Sequence, residues 1–192
     1  MAVKTILPFD NPVLRCRTKR VSKIDKMVLR LIEDLTHTLE QSDGAGLAAP
    51  QIGSSLRVAV VCLPDQKPYA IINPEVIKRI GTREIEEGCL SLPGYQGRIK
   101  RSCSVTVKCL GIDGKPMKIR ARDLLAQVLE HEIDHLDGVL YIDRLENRNK
   151  VYKVDPGEEK KSEKPLSNGV TIGSVPAASA SNNTINGGVK IG

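Results

Sequence analysis

The sequence predicts an α+β fold, with antiparallel sheets packed around a central helix and an amphipathic helix near the N-terminus. Three observations predict it. Apolar residues recur at helical spacing between Ser22 and Gln41, as Ile24, Val28, Leu31, Ile32, Leu35 and Leu39. Ser104 to Leu110 alternates apolar and polar, and Lys115 to Ala121 follows across Asp113-Gly114, a strong hairpin signal. A second and more apolar helical segment carries Leu124, Leu125, Val128, Leu129, Ile133 and Leu136, and a helix this apolar is a buried one.

The elements follow in order. Ser22 and Asp25 make a capping-box-like start to the first helix, with Asp in place of the usual Glu or Gln. His37 falls between apolar positions of that helix and reads as a surface or boundary residue, not a ligand. Gly44-Ala45-Gly46-Leu47-Ala48-Ala49-Pro50-Gln51 is a small-residue loop leaving the helix. Its GxGxxA spacing is no sign of nucleotide binding, because a helix and not a strand precedes it. Arg57–Leu63 and Tyr69–Asn73 read as buried strands divided by a Pro64-Asp65 turn. Asp123 is an N-cap residue type and Gly138 a C-terminal stop for the central helix. Tyr141–Leu145 reads as a short apolar strand closing the domain.

Composition bounds the rest. The chain has 192 residues, which suits one domain plus a tail. No apolar run is long enough to span a membrane, and the N-terminus lacks the layout of a signal peptide. Five cysteines without a secretory signal point to a reducing cytoplasm. Cys62, Cys109, Cys16 and Cys103 read as small buried hydrophobes. Net charge is +6, and the charges beyond Val154 nearly cancel, so the excess lies on residues 1–154. A basic domain suits an anionic neighbour such as ribosomal RNA, or it is simply solvated. Residues 155–192 are rich in Ser, Asn, Gly and Ala and contain no aromatic residue. Such a segment buries too little apolar area to offset its ordering entropy, so it is expected to be a disordered tail.

The chemistry concentrates in His131-Glu132-Ile133-Asp134-His135. Two histidines four apart lie on one face of a helix and can grip one metal ion. A glutamate after the first can reach a metal-bound water and move its protons. The central helix is then a metal-binding helix. A hydrolytic site usually takes three protein ligands and leaves one position open. One candidate for the third is Cys89, in Glu87-Gly88-Cys89-Leu90-Ser91, since a thiolate is a strong ligand for zinc or ferrous iron. The other is an acid downstream of Gly138, where Glu146 is near, as in proteases of the HExxH type. Gln51 offers an amide N–H donor of the kind that holds an oxyanion.

GAGLAAPQ, EGCLS and HEIDH occur here in the order of the three signatures of peptide deformylases, GxGxAAxQ, EGCxS and HExDH. Asp10-Asn11-Pro12-Val13-Leu14-Arg15 also looks like that family's N-terminal stretch, and the resemblance runs from about Ile6 to about Leu145. One departure is Glu130, where the family's best-known members usually have glutamine; tuning and not loss of activity is expected from it.

The resemblance implies a metal-dependent hydrolase that removes the formyl group of N-formylmethionine from nascent chains and releases formate. It implies Cys89, His131 and His135 as ligands of one divalent metal, Fe2+ before Zn2+, Ni2+ or Co2+. Glu132 would be the general base. Gln51 and the backbone N–H of Leu90 would hold the oxyanion. Gly46 and Gly44 would contact substrate. Glu87 and Arg101 would pair and brace the metal loop, and Asp134 would fix the metal helix or a ligand unless it makes only an exposed ion pair. The partners implied are the nascent formyl-Met peptide and the ribosome surface, with no membrane, for a monomer whose catalytic domain spans residues 1–154. A metalloprotease and a non-catalytic metal- or ribosome-binding module are the competing classes; intact Glu132 and Gln51 disfavour the second.

All three motifs precede Leu136, and nothing beyond Val154 has ligand or acid–base spacing. Truncation after Asp155 is therefore expected to leave the melting temperature and turnover of a short formyl peptide unchanged. Thermal denaturation and a formate assay on both lengths check this.

Overall fold

The helical period near the N-terminus becomes α1 (Lys26–Glu40) in the computed structural model, which describes residues 2–64, 66–146 and 151–154. The helix starts later than the sequence suggests. Asp25, and not Ser22, is the N-cap: its carboxylate accepts the N–H groups of Met27 and Val28 at 2.9 and 3.0 Å. One charged acceptor satisfies two orphan donors at the positive end of the helix dipole, which leaves Ser22 outside.

The strands form two antiparallel sheets. The larger contains β1 (Gly46–Ala48), β2 (Val58–Val61), β3 (Tyr69–Ile80), β6 (Ser104–Leu110) and β7 (Pro116–Arg122), in the order β1-β2-β3-β6-β7. The smaller contains β4 (Arg83–Cys89), β5 (Leu92–Arg101) and β8 (Val151–Lys153), in the order β4-β5-β8. The expected β6–β7 hairpin turns at Asp113-Gly114, with Gly114 at φ 78°. That left-handed conformation suits glycine.

Every residue of β2 is buried, as its continuous apolar run requires. Val58 and Val60 pack with Val28, Ile32, Leu35 and Leu39 of α1. Ala59 and Val61 pack with α2 (Asp123–Leu136), through Ala126, Leu129, Ile133 and Leu136. The period of two along β2 therefore sends alternate side chains to two different helices.

Several expectations are corrected. β3 runs past Asn73 to Ile80; Pro74, which cannot donate to a ladder, sits where the pairing with β6 shifts register between Ile72 and Glu75. Tyr141–Arg144 is a 3-10 turn and not a strand, because the Asp143 carboxylate takes the N–H of Leu140 at 2.9 Å and closes the turn on itself. Asp123 is not an N-cap but the first helical residue, at φ 49°, its N–H donated to the Cys103 carbonyl at 3.2 Å. Cys16 and Cys103 are exposed, because each lies in a polar connection outside the strands; Cys109 is buried on β6. The expected turn at Pro64-Asp65 includes Asp65, and the expected tail spans 155–192; both Asp65 and that tail lie outside the described residues.

Gly138 ends α2 as expected. Its N–H reaches the His135 carbonyl at 3.2 Å and the Val139 N–H reaches Asp134 at 2.9 Å, a Schellman closure with Gly138 at φ 77°. Arg57, buried beside this end, donates to the Leu136 carbonyl at 3.2 Å and to Asp137 at 2.7 Å. A Cβ on Gly138 would lie 2.6 Å from the Arg15 carbonyl oxygen. Gly138→Ala is therefore expected to lower stability by about 2 kcal/mol, from backbone strain and the clash together. Urea denaturation should show a lower midpoint at an unchanged slope.

Candidate metal centre

His131 and His135 stand one turn apart on α2, their ring centroids 4.8 Å apart and their planes at 79°. Glu87 and Cys89 are two apart on β4, so both side chains leave the same face of the strand. β4 and β5 close as a hairpin, with Cys89 opposite Leu92 across Leu90-Ser91. Gly88 permits the closure: a Cβ there would meet the Tyr95 carbonyl oxygen at 3.1 Å.

The hairpin end meets the helix. Cys89 Sγ lies 3.2 Å from His135 Nε2, and ligand atoms of Cys89, His131 and His135 all fall within 4.8 Å of one another. Among the described residues this is the one group of three able to hold a metal ion. His131 Nδ1 bonds Glu87 Oε1 at 2.7 Å, which leaves Nε2 available. An imidazole held on its far side by a carboxylate is the usual state of a metal ligand. One sulfur and two nitrogens suit a divalent transition ion with a fourth position open. Glu132 Oε2 is buried with no protein hydrogen-bond partner, which also fits a site built to receive something polar.

Behind the donors lies a buried ionic chain. Arg101 on β5 grips both oxygens of Glu87, at 3.0 and 2.6 Å, and reaches Asp134 at 2.5 Å. Arg144 clasps the other side of Asp134. Glu87, Arg101 and Asp134 are 4, 3 and 6% exposed, which excludes the reading of these groups as surface pairs. Burial acts to raise the Glu87 pKa, but His131 and Arg101 hold it down to about 2. Burial disfavours charge on His131, yet Glu87 and Cys89 keep its pKa well above the ordinary value. Burial and the neighbouring His131 push His135 well below it. Burial lifts Glu132 to about 7.

The sequence profile of the polypeptide deformylase family matches residues 3–151. The chain belongs to the peptide deformylase family. It is 47% identical over 160 residues to a peptide deformylase of Dehalococcoides mccartyi, covering 83% of this chain and 96% of that one. A peptide deformylase of Thermomicrobium roseum is 41% identical over 171 residues, covering 85% and 97%. Among solved structures, the peptide deformylase of Thermotoga maritima is 40% identical and superposes with a TM-score of 0.73, over 77% of this chain and all of that one. That of Legionella pneumophila is 42% identical, with a TM-score of 0.73 over 75% and 86%.

Gln51, 1% exposed, sits in a 3-10 turn after β1. Its Oε1 accepts the Ala48 N–H at 2.9 Å, which fixes the amide so that Nε2 points to Ser91 Oγ (3.3 Å) and Cys89 Sγ (3.7 Å). Leu90 lies in the hairpin turn beside Cys89. The two glycines have packing reasons the sequence did not reveal. A Cβ on Gly46 would lie 2.4 Å from Glu132 Oε1, and one on Gly44 would lie 2.6 Å from Leu90 Cδ1. Glu146 is outside the cluster and pairs with Lys100 at 2.5 Å, while half-buried His37 lies beside Glu40. Ser91, part of the EGCLS signature, and Arg144 were given no role from the sequence. Ser91 donates its N–H to Cys89 Sγ at 3.4 Å, a contact its position two after the cysteine could have suggested. No local signal marked Arg144.

Arg101→Ala would leave two buried carboxylates without their shared guanidinium. A loss of about 3–5 kcal/mol is expected in chemical denaturation.

Proposed function

We propose that Cys89, His131 and His135 hold one divalent metal at which the formyl group of an N-formylmethionyl chain is hydrolysed. The reaction itself is that of the family: formate leaves and the peptide keeps a free amino terminus. The convergence of one thiol and two imidazoles beside the buried Glu132 carries the assignment of residues. A divalent ion bound there supplies a Lewis acid and lowers the pKa of a bound water.

The chain's own residues supply the rest. Glu132 takes a proton as water adds to the formyl carbon. Gln51, whose amide is locked by the Ala48 N–H, and the Leu90 backbone N–H stabilise the oxyanion that forms. Glu132 returns the proton to the amine as the C–N bond breaks. Burial, which disfavours its charged form, suits a group that must both accept and give back a proton. Glu87 orients His131, and Arg101 and Asp134 hold Glu87 and the helix in register. Gly46 admits the Glu132 carboxylate and Gly44 admits Leu90, and the family resemblance makes the two glycines the substrate's backbone contacts.

The finer assignments follow the same reading. α2 is the metal-binding helix around which the sheets pack, and α1 is the amphipathic helix that covers the other side of β2. Residues 1–154 are the catalytic domain of a cytoplasmic monomer, and the surplus of positive charge suits the ribosome surface where nascent chains emerge. No helix among the described residues is long and apolar enough to cross a membrane. The sulfur-plus-two-nitrogen set takes Fe2+ in the cell and Zn2+, Ni2+ or Co2+ in other settings.

Formate release from formyl-Met-Ala-Ser by anaerobically purified protein tests the whole reading. A protease would instead cut internal peptide bonds, and a binding module would do neither. Cys89→Ala is expected to lose most of the metal, because two histidines alone bind weakly. Glu132→Gln should keep the metal and lose about 10²–10⁴ in kcat. Metal analysis and turnover on both variants check this, and full turnover in Glu132→Gln would sink the assignment. Air exposure is expected to abolish the activity of freshly isolated protein along with its iron; unchanged activity and metal content would refute the choice of iron.

A further inference from the structure

The residue just before the first histidine makes contacts that the mechanism does not use. Glu130 is 6% exposed. Its Oε2 accepts the backbone N–H of Ser102 at 2.9 Å. Its Oε1 accepts the Ser102 hydroxyl at 3.1 Å and Arg79 Nε at 2.8 Å. Ser102 is the first residue after β5, where the chain leaves the smaller sheet to begin β6 in the larger. Its N–H has no ladder partner there, and Glu130 supplies one.

The position along α2 gives this contact its meaning. Glu130 and Asp134 are four apart, hence on one face of the helix. They hold successive residues of the crossing chain: Glu130 takes the backbone of Ser102, and Asp134 takes the guanidinium of Arg101. Arg101 in turn fixes Glu87, which fixes the His131 ring through Nδ1. The path from Glu130 to His131 thus runs through three hydrogen bonds of 2.9, 2.6 and 2.7 Å and the Arg101–Ser102 peptide link, leaving the helix and coming back to it one residue later.

We infer that Glu130 is a positioning residue for His131, acting through Ser102, Arg101 and Glu87. The inference rests on the reading of Cys89, His131 and His135 as metal ligands. Because the contact at Ser102 N–H needs an acceptor and not a charge, glutamine can replace Glu130 there and alanine cannot. Arg79, paired with Glu130 and half exposed, balances the negative charge that a carboxylate introduces into this buried spot.

The test is Co2+ substitution, read by the visible ligand-field and thiolate-to-cobalt bands and by Co2+ affinity in a competition titration. The wild-type protein should show both bands; their absence would refute the metal-site reading itself. Glu130→Ala is expected to shift the ligand-field bands and weaken Co2+ about 10-fold, the usual effect of losing a residue that orients a ligand. Glu130→Gln should restore both the bands and the affinity. If Glu130→Ala does not fold, Glu130→Asp, whose carboxylate is one methylene short of Ser102, should give the same shift. Wild-type bands and affinity in whichever of these variants folds would overturn the inference. So would failure of Glu130→Gln to recover them.

Discussion

The buried guanidinium of Arg101 is the interaction on which the site depends. It draws together Glu87 from β4, Asp134 from α2 and, through Asp134, Arg144 from the turn that follows the helix. Ions this deeply buried are tolerated only when fully paired, because each isolated charge would carry a desolvation penalty of several kcal/mol. The penalty acts as a constraint on geometry. The smaller sheet and the helix cannot slide past one another without exposing or orphaning a charge. The donors Cys89, His131 and His135 ride on those two elements, so their spacing is set by the same lock.

Close approach is the second constraint. Around the cluster a neighbour occupies the space of a Cβ at Gly44, against Leu90, and at Gly46, against Glu132, and the Tyr95 carbonyl crowds it at 3.1 Å at Gly88. Each contact joins a different pair of pieces around the cluster. The edge strand β1, the hairpin of β4 and β5, and α2 are packed so closely that Glu132 is almost entirely enclosed. Enclosure lifts its pKa, since the charged form loses its hydration. The packing that admits no Cβ at Gly46 is thus also what strips water from the Glu132 carboxylate.

How much was legible in the sequence differs by element. α1, the β6–β7 hairpin and the Gly138 stop announce themselves, because period, turn chemistry and caps are local signals. β4 and β5 do not. Their inward positions mix Ile85, Cys89 and Ile99 with Glu87 and Arg101, and their length includes Gly88, Gly94, Gly97 and Pro93, so the apolar alternation is broken. An ion pair replaces hydrophobic residues as the filling between sheet and helix, and a reading based on apolar pattern passes over it. Tyr141 and Ile142 misled for the opposite reason: they are buried as a strand would bury them, but Asp143 closes the backbone into a turn.

The sequence by itself determined the donor types and part of their local presentation: two imidazoles one helical turn apart, a carboxylate beside them, and a cysteine two residues from a glutamate in a segment whose strand only the structure showed. Those follow from the periods of helix and strand, which are properties of the backbone alone. Only the tertiary structure decided that Asp134 is buried, that Arg101 serves two carboxylates and that Glu130 completes the end of β5. Arg101 and Asp134 are 33 residues apart in the chain. No local rule links residues at that separation; they meet because two sheets and a helix enclose the space where their charges must cancel.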